Sequence, residues 1–210
     1  MRHTAYMAVL VAAGCSGPPT AVDDDGHQLA VITAPLPPQE DALGTAYTAY
    51  TSDTASTERQ RAYFAAFPSD YASLRKEFGF EELDEDSTLY GEYYEQGSEM
   101  IGAFFRLAGI PPAEIARKAV GIARNGEWQE DGVGYFQLFL ARRLEKEPTV
   151  YLGAINALPA KDQAGFWRFY VDGPEVYPMD DALRLRRLLV KVPAQLNLVD
   201  SVLAISRTKH

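Results

Sequence analysis

Residues 111–126 read Pro-Pro-Ala-Glu-Ile-Ala-Arg-Lys-Ala-Val-Gly-Ile-Ala-Arg-Asn-Gly, and this stretch decides the fold class. Two prolines open it, where the first turn of a helix tolerates a missing N–H. Ile115, Ala119, Ile122 and Ala123 then recur at helical spacing, which gathers them on one face. Asn125-Gly126 closes the run with residues suited to leaving a helix.

The same pattern repeats along the chain. Val133, Phe136, Leu140 and Leu144 form the next apolar stripe, ended by Pro148. Tyr151, Ile155 and Leu158 follow, ended by Pro159, and residues 162–170 make another helix that stops at Asp172-Gly173-Pro174. Leu185, Leu188, Leu189 and Val192 run to Pro193, and Leu196, Val199 and Leu203 make the last stripe. Upstream, Ser56 or Thr57 caps a helix that Pro68 stops after Phe67. Ser69 or Asp70 caps a short one through Phe78, ended by Gly79. Tyr90, Tyr94, Ile101, Phe104, Phe105 and Ala108 predict a longer helix closed by Gly109.

No strand of period two with a hairpin turn interrupts this series. The expected fold is all-α, with eight or nine helices packed as antiparallel hairpins. The stretch 111–170 is partly α-solenoid-like, although no fixed-period repeat is present.

Composition divides the chain. Hydrophobic residues make up 47% of the 210, enough for one buried core. That core is expected in a helical domain over 57–210. Residues 15–56 stand apart, with Pro18, Pro19, Pro35, Pro37 and Pro38, six acidic residues and no Lys or Arg. Such a segment is expected to be a disordered tether. Within it, Leu29–Leu36 is apolar enough to dock as an extended piece. The net charge of −9 argues against nucleic acid as a partner, since phosphates demand a basic footprint.

Residues 1–14 carry Arg2, then a short apolar run from Ala5 to Ala13, and end at Ala12-Ala13-Gly14 before Cys15. This is the shape of a secretory signal. It resembles the lipobox of bacterial lipoproteins, with Ala12 where that family prefers Leu or Val. The resemblance implies diacylglycerol on Cys15 and residence in the periplasm. Ser16 after the lipidated residue leans toward the outer membrane. In size, acidity and tethering the folded part resembles small helical immunity-type lipoproteins. That implies a protein partner, such as a secreted antibacterial toxin.

Catalytic equipment is sparse. The histidines are His3, His27 and His210, and Cys15 is the one cysteine. A Ser-His-Asp or Cys-His centre inside the domain is therefore excluded, as is a zinc site of His and Cys. No phosphate-binding glycine loop occurs. No enzyme activity, cofactor or metal is expected. The remaining catalytic alternative is carboxylate chemistry on cell-wall glycan. Glu92, Glu95 and Glu99 are expected on one helix face for it, although a solvated acidic face is the plainer reading.

Candidate partner contacts are Trp128, Trp167 and the acidic run Glu81, Glu82, Asp84, Glu85 and Asp86, taken as a loop. Tryptophan dominates many interfaces, while at helical spacing it more often fills a core. An envelope assembly or structural lipoprotein is the alternative to an inhibitor.

Overall fold

A computed structural model describes residues 41–84, 87–129, 132–172 and 179–206. The chain divides into two units, 1–40 and 41–210, and all described residues belong to the second. The expected signal, Cys15 and the 29–36 segment lie outside the described residues.

Ten helices and one hairpin are described. In order they are α1 (Ala42–Ser52), α2 (Thr57–Ala66), α3 (Tyr71–Phe78), β1 (Phe80–Asp84), β2 (Ser87–Tyr90), α4 (Gly97–Phe105), α5 (Pro112–Ala123), α6 (Gly132–Lys146), α7 (Pro148–Asn156), α8 (Ala160–Val171), α9 (Met179–Leu189) and α10 (Pro193–Ser206). The fold is helical, as the punctuation by Pro and Gly implies. The main pairings are α4 with α6, α5 with α7, α8 with α10, and α1 with α2.

Local chemistry accounts for the ends. The Ser56 hydroxyl accepts from the Arg59 N–H at 3.3 Å. Asp70 Oδ1 accepts from the Ser73 N–H at 2.8 Å. Each satisfies a helix N–H that has no carbonyl partner in its own helix.

A chain of aromatic contacts runs through the core. Phe67 stacks on Phe104 with ring centroids 4.1 Å apart. Phe104 meets Phe105 at 5.1 Å, Phe105 meets Phe136 at 5.4 Å, and Phe136 meets Phe169 at 6.3 Å. The C-terminal end of α2 and helices α4, α6 and α8 are joined in this way. All five rings are buried, and each such burial stabilises the fold by roughly 1.5–3 kcal/mol.

Helix ends inside this core are closed by side chains from elsewhere. Gln137 of α6 donates through Nε2 to the carbonyls of Phe169, at 2.5 Å, and Asp172, at 2.6 Å. The last turn of α8 would otherwise bury carbonyls without donors.

Two expectations are corrected. The folded unit starts at Asp41, not residue 57, because α1 packs on α2. Leu43 and Tyr50 are buried, Ala46 and Tyr47 pack against the core, and Tyr50 stacks on Tyr63 at 5.5 Å. Arg59 fixes the other end of α1, donating to the Ala49 carbonyl at 3.2 Å and the Ser52 hydroxyl at 2.6 Å. The second correction concerns residues 80–96. Residues 80–84 and 87–90 form a hairpin, residues 92–96 form turns, and α4 begins only at Gly97.

Candidate partner-binding surface

The hairpin grows from the C-terminal end of α3. Gly79 ends that helix, its N–H donating to the Arg75 carbonyl at 2.8 Å. Phe80 then pairs with Tyr90, Glu81 with Leu89 and Glu82 with Thr88, and a bulge falls between Glu82 and Asp84 before Asp84 pairs with Ser87. The returning strand lands directly on the end of α3. A Cβ at Gly91 would lie 2.5 Å from the Glu77 carbonyl oxygen and 2.6 Å from that of Lys76. Only a glycine allows that approach without moving backbone. The Gly91 N–H donates to Gly79 at 2.8 Å, and the Tyr93 N–H donates to Glu77 at 2.9 Å. Phe80, Tyr90 and Tyr94 cluster at the root, with Tyr90 and Tyr94 rings 4.6 Å apart.

Beyond this root the hairpin stands in solvent. Leu83 is 60% exposed, Leu89 59% and Tyr90 56%, among the most exposed large apolar side chains of the described residues. Glu81, Glu82 and Asp84 are exposed on the same element. Between the hairpin and α3 lies a groove of about 400 Å³. Arg75 and Lys76 line its helical wall, and Phe80, Glu81, Leu89 and Tyr90 its hairpin wall. Apolar area beside fixed charge on a projecting element is suited to binding another chain.

The structure treats the expected contact residues differently. Glu81, Glu82 and Asp84 lie on β1, so the acidic run is a strand where a loop was expected; Glu85 and Asp86 lie outside the described residues. Trp128 is half-buried in the segment after α5. That segment approaches the hairpin's base. The Tyr71 hydroxyl of α3 donates to the Glu127 carbonyl at 2.6 Å, and a Cβ at Gly79 would lie 3.1 Å from Gln129 Oε1. Trp167 does not join them. It is fully buried on α8, so as a contact candidate it is corrected to a core residue. Its indole N–H is satisfied inside the protein by Gln195 at 2.5 Å.

Glu92 and Glu95 precede α4, and Glu99 alone of the three is in it. The expected shared helix face is therefore absent. Among the described residues no group of three or more His, Cys, Asp or Glu side chains could hold a metal ion. No helix among them is long and apolar enough to cross a membrane.

Sequence reasoning missed Leu83, Leu89, Tyr90, Arg75 and Lys76 as members of one surface. A signal for the hairpin existed. Gly79 and Gly91 bracket two short runs, and Ser87-Thr88-Leu89-Tyr90 is rich in strand-forming types. Compared with protein-family models, with curated proteins and with solved structures, the chain matches none.

Proposed function

We propose that this chain is a protein-binding lipoprotein, anchored in the periplasm through lipid on Cys15, that recognises its partner with the β1–β2 hairpin. Of protein-binding roles, inhibition of a secreted antibacterial toxin fits the acidic, tethered build best. The observation that carries the reading is the hairpin's composition. Leu83, Leu89 and Tyr90 are more than half exposed on one projecting element, among carboxylates. Leaving Leu83 and Leu89 in water serves no packing purpose. Burying them under a partner would recover that cost.

The test pairs the full chain with its Leu83→Ser/Leu89→Ser variant, each presented to secreted and envelope proteins of the source cell. One protein retained at near-equal stoichiometry by the parent and lost by the variant supports the reading. If that protein kills sensitive cells and the parent chain prevents it, the inhibitor role follows. Equal retention by both chains removes the hairpin as the recognition element. For the anchor, Cys15→Ser is expected to abolish labelling by a radiolabelled fatty acid. Undiminished labelling would rule out acylation at that residue.

A further inference from the structure

Among the described residues, β1 and β2 have no strand neighbour but each other. The bond from the Gly91 N–H to Gly79 makes those two a hydrogen-bonded pair. Antiparallel alternation then makes Phe80–Tyr90 a non-bonded pair, Glu81–Leu89 a bonded pair and Glu82–Thr88 a non-bonded one. The N–H and C=O groups of Phe80 and Glu82 consequently point away from β2, along the outer edge of β1. An exposed edge is a template for another strand unless it is charged, bulged or covered. This one is charged with a single sign. From Glu77 to Phe105 the sequence holds nine acidic residues and no Lys, Arg or His. Glu81, Glu82 and Asp84 of β1 are all exposed. Such an edge repels a second acidic strand, a second copy of this hairpin included, and admits a basic one.

We infer that the partner supplies an extended segment of alternating basic and apolar side chains, which adds to the outer edge of β1 as a third strand. The inference rests on the hairpin being the recognition element. Backbone bonds to Phe80 and Glu82 set the register of the added strand, as in other strand-addition complexes. Its basic side chains lie on the face of Glu82, and its apolar ones lie on the opposite face, where they extend the exposed surface of Leu89. A hairpin of two strands is marginal in water, and a third strand on its open edge is the ordinary way such a sheet gains stability.

The test uses the full chain, isotope-labelled for amide exchange, and capped peptides of about eight residues, the length of an ordinary strand. One peptide alternates Lys with Val, one alternates Glu with Val, and a third is the Lys–Val peptide N-methylated on one edge. The Lys–Val peptide is expected to bind and to slow exchange of the Glu82 amide at least about tenfold. Binding is expected to weaken about tenfold for Glu81→Gln/Glu82→Gln, and to fall steeply with salt. Glu81→Lys/Glu82→Lys is expected to reverse the preference toward the Glu–Val peptide. These substitutions are on exposed side chains and leave the helical core intact. Binding of the Lys–Val peptide without protection of Glu82, equal binding of all three peptides, or binding of none overturns the inference. The wider reading fails separately. A native partner lost on Leu83→Ser/Leu89→Ser but lacking a basic extended segment would sink the strand and leave the surface standing.

Discussion

The indole N–H of Trp167 donates to Oε1 of Gln195 at 2.5 Å, in the interior of the protein. The same glutamine donates from Nε2 to Asn156 at 2.7 Å and to Gln163 at 2.6 Å. One side chain of α10 thus binds α7 and α8 together. Gln195→Leu would leave the indole N–H buried without an acceptor. The expected cost is about 1–3 kcal/mol, the range for an orphaned buried donor. Denaturant unfolding followed by tryptophan emission reads it, and an unchanged midpoint would contradict the role assigned to Gln195.

Gly44 reverses a usual rule. Replacing a helical glycine by alanine ordinarily stabilises by about 0.5–1 kcal/mol. Here a Cβ would run into the Asp41 carboxylate and the Tyr93 hydroxyl. Asp41 accepts from the Gly44 N–H at 2.8 Å and caps α1. Gly44→Ala is expected to displace that cap and destabilise by about 1 kcal/mol, the usual value of an N-cap. Thermal melting decides it, and a higher Tm would refute the prediction.

Gly91→Ala acts on the hairpin alone. The atoms its methyl group would meet are backbone carbonyl oxygens of α3, which cannot swing aside. The hairpin amides are expected to lose exchange protection while the far-ultraviolet helical signal stays near its parent value. Global unfolding of this variant would mean that the hairpin root supports the core.

The pH dependence carries two opposite signs. Burial pushes the hydroxyls of Tyr63 and Tyr93 far above their ordinary range, and that of Tyr151 up to about 12. The Tyr63 hydroxyl donates to the Met100 carbonyl at 2.7 Å, a bond that ionisation would end. A raised folded-state pKa gives stability that is complete below the ordinary value of 10.0 and is lost as pH rises above it. Lys118 works the other way. Its amine donates to the Phe64 carbonyl at 2.5 Å, and burial pulls it down to about 8 from 10.5. The unfolded chain therefore holds that proton longer, and stability rises between those two values. Urea midpoints from neutral to alkaline pH are expected to climb after about pH 8 and to fall beyond about pH 10. In Lys118→Met the climb should vanish and the fall remain. A parent profile that declines steadily from neutrality would exclude the Lys118 contribution.

Much of this architecture was legible because proline and glycine punctuate it. Pro68, Gly79, Gly109, Pro148, Pro159 and Pro193 all stand at or near helix ends. Helix α1 was hidden by its neighbours. Leu43, Ala46, Tyr47 and Tyr50 have helical spacing, but the prolines and acids before them and the threonines among them describe a tether. The hairpin was hidden by length and by a false continuity. Tyr90 and Tyr94 are four residues apart and precede a true helix, so the stripe reads across Gly91. Which backbone approaches that glycine is a tertiary fact, set by the end of α3. Trp167 was ambiguous because aromatics crowd the last turns of α8: Phe166, Trp167, Phe169 and Tyr170 are all buried, and of its last six residues only Arg168 is exposed.

Two backbone bonds and a glycine join the returning strand to the end of α3. None of these depends on the identity of a strand side chain. Drift in β1 and β2 outside Phe80 and Tyr90 therefore meets little resistance from the helices, so long as Gly79 and Gly91 stay. Substitutions elsewhere on the two strands can accumulate one at a time without being tested against folding. The helical body is expected to tolerate fewer substitutions than the hairpin does.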